Sequence, residues 1–123
     1  YLIPQELPAG YVNSYYTLGV IYNGKDSIGV TWEDFRKAYV EAGGDGIYGA
    51  WSVPYLEPMV ATRQFVNRCP WVYENISYHQ GLCPIAEKVQ TKIMQFKTNY
   101  RDIELAEKKA NILRKVIKQV SSR

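Results

Sequence analysis

Gly43-Gly44-Asp45-Gly46-Ile47-Tyr48-Gly49-Ala50-Trp51-Ser52-Val53-Pro54-Tyr55-Leu56-Glu57-Pro58 joins a helix-like segment to an aromatic loop. Four of the chain's nine glycines, Gly43, Gly44, Gly46 and Gly49, fall within seven residues of it. Gly44 to Gly49 matches G-x-G-x-x-G letter for letter. That motif cradles a pyrophosphate where it follows a strand and opens a helix, because the helix N-terminus then faces the phosphates. Here the order is reversed. Trp32, Phe35 and Tyr39 fall at i, i+3 and i+7 on one helical stripe before the glycines, and Ile47 to Trp51 reads as a short strand after them. The glycines therefore read as a left-handed helix stop at Gly43 or Gly44 and a tight turn. A dinucleotide-binding parallel sheet is set aside. Beyond the turn, Tyr48, Trp51 and Tyr55 form an aromatic loop suited to the wall of a ligand site.

Working outward, Thr31-Trp32-Glu33-Asp34 resembles a capping box that starts the helix, which runs to about Ala42. Tyr11 to Tyr22 is rich in β-branched and aromatic residues and apolar on both faces, so it reads as a central strand covered on both sides. Asn23-Gly24 signals a turn. Residues 1–10, with Pro4, Pro8 and Gly10, read as an extended lead-in segment. On the other side, Met59 to Val66 reads as a helical turn or two. Arg68 to Gly81 reads as a long ordered loop whose aromatic residues need burial. Pro84 suits the first position of a short helix to about Gln90, with Ile85, Val89 and Ile93 on one face. Ile93 to Lys97 reads as a strand. Asp102 suits an N-cap for a long helix to about Val120, with Leu105, Ile112, Leu113, Val116, Ile117 and Val120 inward. Glu104 and Lys108 are spaced as a helical ion pair. The fold class is α+β: a small antiparallel sheet of about three strands packed with helices and ending in a long C-terminal helix.

At 123 residues the chain reads as a single domain, 1–123, and its 46% hydrophobic and 22% charged content are globular values. No apolar run reaches the roughly 20 residues of a membrane helix. The chain opens at Tyr1 rather than Met, which reads as a piece of something longer. The net charge of +3 arises in residues 102–123, with six basic and three acidic groups; the other 101 residues balance at nine and nine. One charged helix face is a solvated face, and a nucleic-acid stripe would need basic groups elsewhere. Cys69 and Cys83 lie 14 residues apart without a second pair, which supports no zinc site and leaves a disulfide open. Two cysteines in an ordinary chain suggest reduced thiols and a cytoplasmic protein.

The catalytic inventory is thin. His79 is the sole histidine. Nothing orients it against Cys69 or Cys83, yet it sits in the loop expected near a ligand and stays among the site candidates. Lys108, Lys109, Lys115 and Lys118 lie on a charged helix face, and Lys25 and Lys37 in a polar loop and on a helix. None has the apolar surroundings that lower a lysine pKa for Schiff-base chemistry. Asn75-Ile76-Ser77 is a glycosylation sequon by pattern alone. On residues alone, this chain binds or shapes something and lacks a complete catalytic set.

Three stretches, taken together, resemble a known family: Asn13-Ser14-Tyr15-Tyr16-Thr17; Gly44 to Pro58; and Gly81-Leu82-Cys83-Pro84-Ile85-Ala86-Glu87-Lys88 running on to Gln95-Phe96-Lys97-Thr98-Asn99-Tyr100. In order and spacing they look like the C-terminal small domain of DegT/DnrJ/StrS sugar aminotransferases of the perosamine synthetase-like branch, over about Gly10 to Val120. The resemblance implies part of a fold-type I enzyme that uses pyridoxal phosphate to move an amino group from glutamate or glutamine onto a keto sugar, usually nucleotide-linked. It places the Schiff-base lysine and the acid that pairs the pyridinium nitrogen on a large N-terminal domain, the partner of this one, and implies a homodimer at full length. Neither nucleic acid nor membrane enters as a partner. Tyr55-Leu56-Glu57-Pro58 stands where many members carry His-Leu-Gln-Pro beside the sugar, so Tyr55 replaces the usual histidine and Glu57 the glutamine. A phenol there positions substrate rather than taking a proton. An earlier His-Tyr of many members falls at about Gly49-Ala50, a departure that touches substrate identity. The implied substrate-binding set is Tyr55, Trp51, Tyr48, Glu57, Asn13 and His79. The alternative is a stand-alone, non-catalytic binding module of the same fold.

Overall fold

The computed structural model describes residues 1–63 and 68–122, with nothing said of the Val72 and Tyr73 side chains. The chain divides into two compact units, one of residues 1–49 with 92–123 and one of residues 50–91.

The first unit is an antiparallel four-stranded sheet with helices. Its strands are β1 (Leu2–Pro4), β2 (Leu18–Tyr22), β3 (Tyr48–Gly49) and β4 (Ile93–Phe96), in spatial order β1-β2-β4-β3. Its helices are α1 (Gly24–Ile28), α2 (Trp32–Glu41) and a C-terminal helix, Ile103–Ser121. The register sets Leu18 opposite Phe96, Val20 opposite Met94 and Ile21 opposite Ile93. Alternate residues therefore share a face, and Val20, Tyr22, Met94 and Phe96 all point into one core. Phe35 and Tyr39 of α2, Ile47, and Val116 and Val120 of the C-terminal helix complete it. Phe35 and Met94 are fully buried. The ring of Tyr1 meets those of Tyr22 and Phe35 edge-on, with centroids 5.9 and 6.1 Å apart.

Local signals place α2 and the C-terminal helix as the sequence predicts. Thr31 Oγ1 accepts a hydrogen bond from the Asp34 N–H and caps α2. Gly43, at φ +89°, stops it in the left-handed region. Asp102 caps the C-terminal helix by accepting from the Glu104 N–H. Gly44 has no room for a side chain, since a Cβ there would lie 2.4 Å from the Tyr39 ring.

Long-range pairing departs from expectation. The sheet has four strands rather than about three, because the lead-in segment supplies β1. Proline is tolerated on an edge strand, and the Asn23 N–H also donates to the Tyr1 carbonyl. Tyr11 to Thr17 are not strand: Tyr11, Val12 and Tyr16 are exposed, and Tyr15 turns the chain at φ +47°. Among the described residues no strand lies opposite them, since β4 pairs with β2 no further than Leu18, and strand propensity counts for little without a cross-strand partner. Asn23-Gly24 opens α1 instead of a plain turn. Gly24 is packed so tightly under Tyr22 that only glycine fits, and Tyr22 reaches over it to donate to the Val30 carbonyl. The strand expected over Ile47 to Trp51 is only Tyr48–Gly49. The inward stripe of the C-terminal helix starts at Ile112, and Leu105 is exposed. Among the described residues no ion pair joins Glu104 to Lys108; the helix instead sends Lys109 to Asp45.

That contact pins the glycine turn. Lys109 Nζ lies 3.2 Å from Asp45 and donates to the Gly43 carbonyl at 2.9 Å. The Tyr100 hydroxyl donates to the other Asp45 oxygen. Burial raises the Asp45 pKa, but the hydrogen bonds from Tyr100 and Lys109, with the charges of Lys109 and Lys97, outweigh it and hold the carboxyl below its ordinary value.

The second unit holds a 3₁₀ turn at Pro54–Leu56, α3 (Pro58–Ala61), a 3₁₀ turn at Pro70–Tyr73 and α4 (Pro84–Gln90), so the C-terminal helix is α5. Pro58 and Pro84 both open helices, as their missing N–H allows. The expected end of the first of these, Val66, lies outside the described residues. In the 68–81 loop, whose aromatics were expected to be buried, Trp71 is exposed and Tyr78 is half-buried. Ile85 is exposed as well.

Phe35→Ala is expected to cost about 3–5 kcal/mol, read from the urea midpoint, because a fully buried ring leaves a cavity between sheet and helices. Asp45 has a folded pKa below its ordinary 3.8, so its stabilisation is complete above that value and is lost as pH falls through the lower folded value. Asp45→Asn should therefore be the less stable protein at about pH 7, with the gap narrowing as pH falls below the ordinary value of 3.8; a gap independent of pH would contradict the assignment.

Candidate functional site

The register of the sheet creates a groove at one end of the first unit. Tyr48 sits opposite Gln95, and their neighbours Gly49 and Met94 form the next pair, on the core side. Tyr48 and Gln95 thus stand together on the face away from the core. Just past the last β2–β4 pair, Thr17 and Lys97 carry the two chains onward. The Thr17 hydroxyl donates to the Phe96 carbonyl at 3.0 Å, and the Thr98 hydroxyl reaches the Tyr15 and Tyr16 carbonyls at 2.6 and 3.0 Å. The result is a cavity of 670 Å³ lined by Ser14, Tyr15, Tyr16, Thr17, Tyr48, Gln95, Lys97, Thr98 and Asn99.

Its walls are held in place. Tyr15 is one of two described non-glycine residues with positive φ, a conformation that is strained for an aromatic residue. Asn13 Oδ1 fixes it by accepting from the Tyr15 N–H at 2.8 Å, and Thr98 fixes it from the carbonyl side. Tyr16 (93% exposed) and Tyr48 (67% exposed) therefore present their rings to solvent from a fixed backbone. Lys97 is the one charged residue of the lining. Its ammonium lies 5.1 Å from the centroid of the Tyr100 ring, and among the described residues it joins no ion pair.

The second unit holds four of the six residues predicted for the site, and their surroundings differ. Tyr55 is buried. Its hydroxyl donates to Glu87 Oε1 and accepts from the Cys83 N–H at 2.9 Å. The same carboxylate oxygen accepts from the Gly81 N–H at 2.7 Å. Burial, and next the hydrogen bond to Glu87, push the Tyr55 phenol up to about 12, so it stays protonated. The same bond, helped by the Gly81 and Cys83 N–H groups and by His79, holds Glu87 below its ordinary value. Tyr55 thus spends its donor and an acceptor lone pair inside the protein, closing the 79–83 turn onto α4. Glu57 accepts from the Ser52 hydroxyl. Trp51 is 92% exposed, so it is no core residue. His79 is exposed, with Nδ1 3.4 Å from the Ser77 hydroxyl. The thiols of Cys69 and Cys83 are free and exposed.

Of the predicted residues, then, Tyr48 lines the groove and Asn13 shapes it through Tyr15, while Tyr55 and Glu57 have internal partners. Sequence reasoning did not select Tyr16, Lys97, Asn99 or Glu87. The signal for the first three lies in the stretches Asn13–Thr17 and Gln95–Tyr100, which only the β2–β4 pairing brings together. Among the described residues no three metal-ligating side chains gather, and no helix is long and apolar enough to cross a membrane. Compared with family models, with curated proteins and with solved structures, the chain matches none of them.

Tyr55→Phe is expected to raise amide hydrogen exchange at Cys83 by about tenfold while Gly81, still held by Glu87, changes little. Glu87→Gln should affect Gly81 first. Equal exchange at both amides in both variants would show that the hydroxyl does not anchor the turn.

Proposed function

We propose that this chain is the small domain of a pyridoxal-phosphate-dependent aminotransferase that transfers an amino group from glutamate or glutamine to a keto sugar, and that it contributes substrate-positioning residues rather than catalytic ones. One observation carries the reading. The three stretches that bear the family resemblance are far apart in sequence, yet each lends residues to one groove: Tyr15 and Tyr16 from the first, Tyr48 from the second, Lys97 and Asn99 from the third. An α+β unit with an antiparallel sheet and a closing C-terminal helix is the architecture the reading requires.

The chain's own lysines do not fit the cofactor-bearing role. Lys92 and Lys109 are tied to Asp26 and Asp45, and Lys25, Lys37, Lys88, Lys97, Lys108, Lys115 and Lys118 are exposed. A Schiff-base lysine needs surroundings that favour its neutral form. The cofactor therefore belongs to the large N-terminal domain in this reading, and no chemical step is assigned to these residues. Trp51, Met59, Trp71, Leu82 and Ile85, all exposed in the second unit, also favour a chain that packs on a larger body.

The test uses the protein at the length its gene specifies. After incubation with pyridoxal phosphate and borohydride reduction, peptide mapping should find the pyridoxyl group on one lysine outside these 123 residues. A stable adduct on a lysine of this chain, or none on the full-length protein, would overturn the reading.

A further inference from the structure

Lys97 is the one charged side chain that lines the groove, and its place is set from outside the lining. Its ammonium lies 5.1 Å from the centroid of the Tyr100 ring. The Tyr100 hydroxyl donates to Asp45 Oδ2. Lys109 Nζ lies 3.2 Å from Asp45 Oδ1 and donates to the Gly43 carbonyl at 2.9 Å. A chain of contacts therefore runs from the groove wall, through the loop that leaves β4, to the glycine turn and α5. Asp45 stands at the centre of it and lines no part of the groove.

The contacts differ in kind. A lysine side chain is a flexible stem carrying a point charge, and an aromatic face under the ammonium restricts where that charge goes. The restriction holds only while the ring is fixed. Tyr100 is half-buried, and its hydroxyl bond to an ionised carboxylate, one of the stronger kinds, restrains the ring. A carboxylate accepts from two donors at once, one on each oxygen, and Asp45 holds Tyr100 and Lys109 together in this way. Lys109 belongs to α5, which Val116 and Val120 anchor in the core, and Gly43 ends α2. The ring is thus fixed from the core side. Among the described residues no ion pair joins Lys97 to Asp45, so position passes through the ring. Their charges still attract. Burial raises the Asp45 carboxyl, and the bonds from Tyr100 and Lys109, with the charges of Lys109 and Lys97, bring it below its ordinary value.

We infer that Asp45 is a positioning residue of the groove: by holding the Tyr100 ring it sets where the Lys97 ammonium points. The inference rests on the substrate-positioning reading for what the groove does, whereas the placement of Lys97 belongs to this chain alone. Tyr48, further along the same turn, gives an internal comparison. It lines the groove too, but Ile47 is buried in the core and Tyr48 pairs with Gln95, so its place has anchors of its own. Removing the Asp45 carboxylate should therefore free the Lys97 side chain and leave Tyr48 paired.

Lysine methyl NMR on the full-length protein tests it without substrate or turnover. The lysines are reductively methylated with isotope-labelled formaldehyde, and the Lys97 signal is the one missing from Lys97→Arg. In the parent that signal should lie upfield of those from other exposed lysines, displaced by the Tyr100 ring. Asp45→Ala and Tyr100→Phe should each remove about half of the displacement or more, the second although it keeps the ring, since only the tie to Asp45 is lost. The signal of Lys118, exposed on α5, should not move in either variant. The Tyr48 amide should exchange within about threefold of the parent rate. A merely structural role would lower stability and leave the Lys97 signal of the folded protein in place. An undisplaced Lys97 signal in the parent, more than about half of the displacement kept by either variant, movement of the Lys118 signal, or faster Tyr48 exchange than stated would overturn the inference. Should Asp45→Ala fail to fold, Tyr100→Phe decides alone. The pyridoxyl adduct is mapped on a lysine outside this chain, so the enzyme reading and this inference can fail independently.

Discussion

Everything in the first unit depends on the pairing of β2 with β4. It joins residues separated by about seventy positions in the chain, and its register decides three things at once. It turns Val20, Tyr22, Met94 and Phe96 to one side, where α2 and α5 cover them. It turns Gly19, Ile21, Ile93 and Gln95 to the other. Because the ladder stops at Leu18 and Phe96, it also forces the next residues of both chains into the same few ångströms, where Thr17 and Thr98 lace them together. A slip of one residue would exchange the faces, burying Gln95 and exposing Met94. The apolar cost of that exchange fixes the register, and the register fixes the groove. Core packing and candidate binding site are thus consequences of one set of contacts.

What could be read from the sequence divides by range of interaction. The Thr31 and Asp102 caps, the Gly43 stop and the proline that opens α4 were all legible, because each rests on atoms within four residues of its own position. Strand limits were not. Tyr11 to Thr17 have as much strand propensity as Leu18 to Tyr22, and only the second set has partners on either side. Conversely, Leu2 to Pro4 carry a proline that argues against a strand, yet an edge position needs no N–H from it. Propensity describes what a residue tolerates, whereas a sheet is made by what lies opposite.

The candidate site follows the same division. Tyr48 was legible as an exposed aromatic after a glycine turn, and Asn13 as part of a motif. Tyr55 was legible as a polar aromatic, but its fate turned on Glu87, 32 residues away, which no local pattern pointed to. With its hydroxyl engaged by Glu87 and Cys83, Tyr55 acts as a strut that sets the 79–83 turn. Lys97 shows the opposite case. In the sequence it is one of 15 basic residues, and only the pairing of β2 with β4 shows that it alone among them faces the groove.

The two units differ in what holds them. The first buries a connected set of large side chains, with Phe35, Met94 and Val116 at its centre. The second has one buried hydrophobic residue among those described, Tyr55, and the bonds that hold its turn are polar. Polar bonds exchange protein partners for water and contribute modestly each, whereas apolar burial scales with area. The second unit should accordingly open more readily than the first, and its order rests on the Tyr55–Glu87 hub rather than on a core. That asymmetry bears on where a rigid binding surface belongs. A groove built at the end of the β2–β4 ladder inherits the stability of the core beneath it. Residues of the second unit can reach a ligand only from a segment whose ordering they must themselves sustain, so the side chains that fix a ligand's position are best supplied by the sheet.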